Sequence, residues 1–163
     1  MHGRKWLSQD YYWIDREWQY SKMPRKLLIE KLLLTEEGKI PNDYKLNYIN
    51  GELEFIYVSV DREGGNYRNI YDKNWEPLNF HWTSKKSITG LRGPEIRPPA
   101  SFIQMKEIGK EIAKEYPYVR VDFYDVDGDL YVGEITHFHG GGFDSFHPSD
   151  YDLSFGQKLK LPI

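Results

Sequence analysis

Apolar and polar positions alternate most cleanly in two stretches of the chain, and each stretch folds back around a turn signal. In "DYKLNYINGELEFIYVSVDR", Lys45, Asn47 and Ile49 alternate with Leu46 and Tyr48 up to Asn50-Gly51, and "ELEFIYVSV" returns, which predicts a β-hairpin. "YVRVDFYDVDGDLYVGEIT" repeats the plan around Asp127-Gly128. Upstream, the run Leu27, Leu28, Ile29 and Leu32 to Leu34, broken only by Glu30 and Lys31, fits a buried strand or a short helix, and we favour the strand. In "SFIQMKEIGKEIAKEY" the period changes: Phe102, Met105, Ile108 and Ile112 form one stripe, predicting a core-facing helix over about 101–116 with Ser101 available as its cap. Residues 61–100 carry Gly64-Gly65, Pro77, Gly90, Gly93-Pro94 and Pro98-Pro99, and read as surface connection with little regular structure. A short helix around Trp6 opens the chain, and "SDYDLSFGQKLKLPI" reads as a loop and a short closing element. The fold class is therefore α+β, with an antiparallel sheet built from two hairpins and packed with helices.

Composition narrows the function classes. A chain of 163 residues with 39% hydrophobic content supports one core, so 1–163 reads as a single domain. Its net charge of −3 argues against a broad nucleic-acid footprint, and the absence of cysteine removes thiol catalysis, thiolate zinc sites and disulfides. No run reaches the roughly 18 apolar residues of a spanning helix, so no transmembrane segment is expected. The start "MHGRKWLSQDYY" has no signal-like core, and a cytoplasmic location is the expectation.

The second hairpin carries charges that a buried strand would not hold without partners: Arg120, Asp122 and Glu134. Register decides their relation. A strict two-residue turn pairs Asp122 with Gly133 and turns Glu134 away, whereas a three-residue loop with Gly128 left-handed puts Glu134 opposite Arg120 and gathers all three. Facing carboxylates repel unless a cation lies between them, and Mg²⁺ is held by one or two carboxylates together with substrate phosphates. The same residues also fit a surface hairpin whose acids merely pair with Arg120.

Several further stretches, "REWQY", "PRKLLIEKLLL", "PNDYKLNYINGELEFIYVSVDR", "YDKNWEPLNF", "YVRVDFYDVDGDLYVGEITHFHGGGF" and "HPSDYDLSFGQKLKL", resemble in order the TupA-like ATP-grasp family, associated with teichuronopeptide and other cell-surface polysaccharide biosynthesis. The resemblance is to the C-terminal half of the ATP-grasp fold. It implies ATP and Mg²⁺ as cofactors, with Asp122 and Glu134 holding the metal, Thr136 standing where many ATP-grasp enzymes place an asparagine ligand, and Arg120 near the terminal phosphate. It implies further that Glu30 and the backbone of Lys31, Leu32 and Leu33 face the adenine, with Glu37 a weaker candidate for the ribose. Lys45, Arg62, Arg68 and Asn69 would lie near the triphosphate, Arg62 foremost, because its forked donors match phosphate oxygens. The implied activity is ATP-dependent carboxylate–amine ligation through an acylphosphate. Its partners would be a nucleotide and a small carboxylate or amine substrate, a uronic acid or amino acid of a surface polymer. The family's glycine-rich lid and its lysine have no counterpart before Trp6, so an incomplete domain, with an N-terminal half or partner chain supplying the rest, is expected. A non-catalytic carbohydrate- or partner-binding remnant working beside a glycosyltransferase is the alternative.

"HFHGGG" places His137 and His139 on one face; two histidines do not make a zinc site, and a glycine-rich loop beside the phosphates is the expected role. His81 and His147 read as packing or solvent residues. The aromatic clusters at Trp6, Tyr11 to Trp13, Trp18, Trp75 and Trp82 could stack on sugars, but read first as core or interface.

Overall fold

A computed structural model describes residues 2–83 and 92–161. Both hairpins form. β1 (Asp43–Ile49) and β2 (Glu52–Val60) join through Asn50 and Gly51, and β5 (Tyr118–Val126) and β6 (Asp129–Thr136) through Asp127 and Gly128. All four turn residues have positive φ, 50° and 82° in the first pair and 53° and 98° in the second, as two-residue turns that follow the strand twist require. With β3 (Tyr67–Tyr71) they make an antiparallel sheet in the order β3-β2-β1-β5-β6. A second sheet pairs β4 (His81–Thr83) with β7 (Ser145–His147).

The two faces of the large sheet are covered differently. On one, α3 (Phe102–Ala113) packs Phe102 and Met105 against Tyr44, Leu46, Tyr48, Val58, Val121 and Phe123, with Ile108 and Ile112 at the margin, as the helical stripe anticipates. Each large side chain buried there contributes about 1.5–3 kcal/mol. On the other face, the small sheet and α4 (Asp150–Lys158) cover the β2–β3 side, burying Phe55, Tyr57 and Ile70 against Phe80, Trp82 and Phe146. The β1–β5–β6 side of that face carries the charged residues.

Several expectations need correction. The run Leu27 to Leu34 is not a strand: it pairs with no strand among the described residues, and Leu28 and Ile29 are 82% and 93% exposed. Its Glu30 to Leu33 line a cavity together with Tyr131, Val132 and Gly133 of β6. The 61–100 stretch contains β3, whose Asn69, Ile70 and Tyr71 are buried, and the start of the second sheet. An inward asparagine between tyrosines, and a strand of three residues, leave too short a pattern to read. Residues 84–91, including Gly90, lie outside the described residues. Ser101 does not cap α3 through its side chain. Its Oγ and backbone N–H instead donate to Asp125 Oδ2 at 2.5 and 3.1 Å, while Gly128 N–H donates to Asp125 Oδ1 at 2.8 Å, so one carboxylate ties α3 to the β5–β6 turn. The helix expected near Trp6 is present as α1 (His2–Ser8), followed by the short α2 (Tyr12–Asp15), and the closing element is α4.

Two consequences can be measured. Gly109 of α3 lies against Tyr48, whose ring a new Cβ would overlap. Gly109→Ala should therefore lower the urea midpoint, a net loss of about 1–2 kcal/mol, because the overlap outweighs the gain of up to about 1 kcal/mol in helix propensity. Burial opposes the charge on Asp125, but the hydrogen bonds from Ser101 and Gly128 outweigh it and hold the carboxyl below its ordinary value of 3.8. A lowered folded-state pKa stabilises at pH above that ordinary value and is lost as pH falls through the folded one. Asp125→Asn should be less stable than wild type at neutral pH, and the gap should close as pH drops below 3.8.

Candidate nucleotide and metal site

Alternation along β1 turns Asp43, Lys45 and Asn47 away from the α3 core. Pairing then sets Lys45 beside Asp122 and Arg120 beside Asn47. The second hairpin reaches its cluster by a route that neither simple register anticipates. Its turn has two residues, which alone would pair Asp122 with Gly133, but the ladder slips between Asp122 and Phe123, leaving Gly133 unpaired as a bulge. Beyond the bulge Glu134 stands opposite Asp122, and Thr136 opposite Arg120. Glycine is needed at 133 because a Cβ there would come within 2.5 Å of the Tyr124 ring.

The side chains converge tightly. Arg120 donates from Nε to Asp122 Oδ1 at 2.6 Å, and from Nη2 to Asp122 Oδ2 at 2.9 Å, Glu134 Oε2 at 3.1 Å and Thr136 Oγ1 at 3.1 Å. Lys45 Nζ also donates to Asp122 Oδ2, and lies 2.7 Å from Asp43 Oδ2. Asp43, Lys45, Arg120 and Asp122 are largely buried, while the Glu134 side chain is 61% exposed. Burial opposes the charges on Lys45 and Arg120, but Asp122, helped by Asp43 and Glu134 respectively, outweighs it and raises both above their ordinary values. Burial dominates at Asp43 and raises its carboxyl despite Lys45; its Oδ1 has no hydrogen-bond partner.

The donor set fits a hard divalent cation. Oxygens of Asp122, Glu134 and Thr136 meet at one positively charged atom, Arg120 Nη2, and two carboxylates with a hydroxyl are the chemistry that Mg²⁺ takes alongside phosphate and water. Among the described residues no group of three or more His, Asp or Glu side chains could hold a metal ion.

Two cavities flank this cluster. One of about 510 Å³ is lined by Glu30, Lys31, Leu32 and Leu33 together with Arg62 and Tyr124, so the segment expected at the adenine does border a cavity on the same face. Arg62 lies over the Tyr124 ring at 5.7 Å, in that cavity and outside the Arg120 cluster. The other, about 150 Å³, is lined by Lys45, Arg68 and Arg120 with Tyr57, Trp82 and Asp144. Two expected residues do not join them. Asn69 pairs with Val58 on the α3 face, where its amide donates to Pro94 O at 2.8 Å and accepts from Gly93 N–H at 2.9 Å. Glu37 sits on an exposed turn paired with Lys39 at 2.6 Å. Sequence reasoning passed over Asp43, which its place two residues before Lys45 on one strand face marks, and Trp82 and Asp144, which only tertiary packing brings in. His139 to Gly142 wrap Asp144: a Cβ at Gly140, which has φ 58°, would overlap its carboxylate.

Paired acidic and basic side chains between two cavities make this sheet face the candidate ligand site of the chain. The family model for TupA-like ATP-grasp proteins matches residues 2–160, and the chain belongs to that family. No curated protein and no solved structure matches it. Among the described residues no helix is long and apolar enough to cross a membrane.

Removing one partner from the buried network strands the others. Asp122→Ala should cost about 3–5 kcal/mol in chemical denaturation, whereas Glu134→Gln, at an exposed position, should stay within about 0.5 kcal/mol of wild type.

Proposed function

We propose that the charged face of the large sheet binds ATP with Mg²⁺, and that the chain serves an ATP-dependent carboxylate–amine ligation in cell-surface polysaccharide biosynthesis. The observation that carries this reading is the meeting of three oxygens from Asp122, Glu134 and Thr136 on a single cationic atom, between a cavity lined by Glu30 to Leu33 and one lined by Lys45, Arg68 and Arg120. In this reading the base lies against Leu32, Leu33 and Tyr124, and Arg62 approaches the phosphates from the same cavity. Asp122 and Glu134 would hold the metal, which would supply positive charge to offset that of the phosphates. Arg120, released from its bridging contacts, and Lys45 neutralise the transferring phosphoryl group, so that catalysis rests on positioning and charge.

The substrate carboxylate attacks the terminal phosphorus, the bond to ADP breaks, and the amine then displaces phosphate from the acylphosphate. ATP as substrate favours the cytoplasm as the compartment. The polymer, and a uronic or amino acid as the carboxylate, are proposed from the family resemblance and not from the site.

Calorimetric titration with ATP tests the reading. Binding should require Mg²⁺ and disappear with EDTA, and Glu134→Gln should weaken it at least about tenfold, near 1.4 kcal/mol. Binding that ignores both metal and Glu134 contradicts the proposal, and an absence of nucleotide affinity favours a carbohydrate- or partner-binding module.

A further inference from the structure

Exposed apolar side chains are concentrated near one end of the chain. More than half of the large hydrophobic residues that stand exposed among the described residues lie between Trp6 and Leu34, and none of the side chains described in that arm is buried. Trp13, Ile14, Met23, Leu28 and Ile29, each more than half exposed, together present roughly 300–500 Å² of apolar surface. Apolar surface on that scale marks an interaction site.

The same chain carries a surface that fits it. A hollow of about 630 Å³ at the Ile49–Tyr118 end of the large sheet is walled by Phe55, Tyr118, Phe138, Phe146, Phe155 and Leu159, and its lining is almost wholly apolar. Within one copy the arm reaches this hollow only with Trp18 and Gln19, because the chain runs on to the opposite end of β5, where Glu30 to Leu33 line the cavity beside Tyr124. Charge selects the guest. Residues 1–34 hold seven lysines and arginines against four acids, a net +3, so that residues 35–163 carry −6 in a chain of net charge −3. Lys26 and Lys31 flank the run Leu27 to Ile29, whereas among the described residues Asp152 and no lysine or arginine lines the hollow. A basic apolar arm and an acidic apolar hollow are complementary, and every copy of the chain has both.

We propose that the chain forms a two-fold dimer by exchange of these arms, with Leu28 and Ile29 of each copy seated in the hollow of the other. Each arm covers its own roughly 300–500 Å² and a matching area of the hollow, and the exchange happens twice, so roughly 1,200–2,000 Å² is buried in all, the range of a stable interface. A reciprocal exchange also closes on itself and leaves no unmatched arm to recruit a third copy. The dimer is argued from these two surfaces and does not depend on the nucleotide reading above.

Sedimentation equilibrium of the full chain at about 1–100 µM should show a dimer. Ile29→Asp on the arm and Phe138→Asp on the hollow, both at exposed positions, should each weaken it at least about a hundredfold. Leu161→Asp, on the same hollow and also exposed, replaces Phe138→Asp should that variant fail to fold. The mixture is the decisive arm of the test. Ile29→Asp keeps a sound hollow and Phe138→Asp a sound arm, so together they retain one of the two contacts and should associate at least about tenfold more tightly than either variant alone. A wild-type chain that stays monomeric, a dimer that survives both substitutions, or a mixture no tighter than its components would each overturn the proposal. So would a monomer that instead cosediments with phosphatidylglycerol vesicles, which would assign the arm to an anionic membrane surface.

Discussion

The arrangement depends on one buried carboxylate, Asp122, shared between two cations. Lys45 reaches it from β1 and Arg120 from its own strand, and all three lie on a sheet face that is otherwise aromatic and half covered. None of these charges is tolerable alone at that depth, so removing any one member leaves the others buried without a partner. The network stabilises little beyond what an apolar substitute would, and we take its value to lie in holding cationic groups ready in a dry place.

An internal counter-ion also explains the oxygens around Arg120. Its Nη2 satisfies Asp122, Glu134 and Thr136 at once, which keeps two facing carboxylates from repelling each other. A metal entering that position would take over this task and free the guanidinium for phosphate. Family membership gives this exchange its context, since ATP-grasp proteins bind ATP with Mg²⁺. The sheet therefore has an apolar face that holds the fold and a charged face on which the cavities follow one another.

Much of this was legible in the sequence, for reasons that differ by element. The hairpins announced themselves through Asn50-Gly51 and Asp127-Gly128, and α3 through a stripe that its core confirms. The charged cluster was visible as Arg120, Asp122 and Glu134, but its register was not. The bulge at Gly133 depends on the Tyr124 ring filling the space above it, a contact that no local pattern encodes. The run Leu27 to Leu34 misled because hydrophobicity reports a wish for cover and not the means, and here the surface left uncovered borders a cavity. Asn69 misled differently: it is a polar residue whose role is to hold residues 93 and 94 against the α3 side of the sheet.

The central claim is that Arg120 keeps a cation's place. A crystal structure with Mn²⁺ and a non-hydrolysable ATP analogue tests it most directly, because the metal's anomalous signal locates it independently of the model. The account predicts manganese bound by Asp122 and Glu134, with Arg120 turned from them toward the phosphates. Manganese elsewhere, with Arg120 still bridging the two carboxylates, would contradict it.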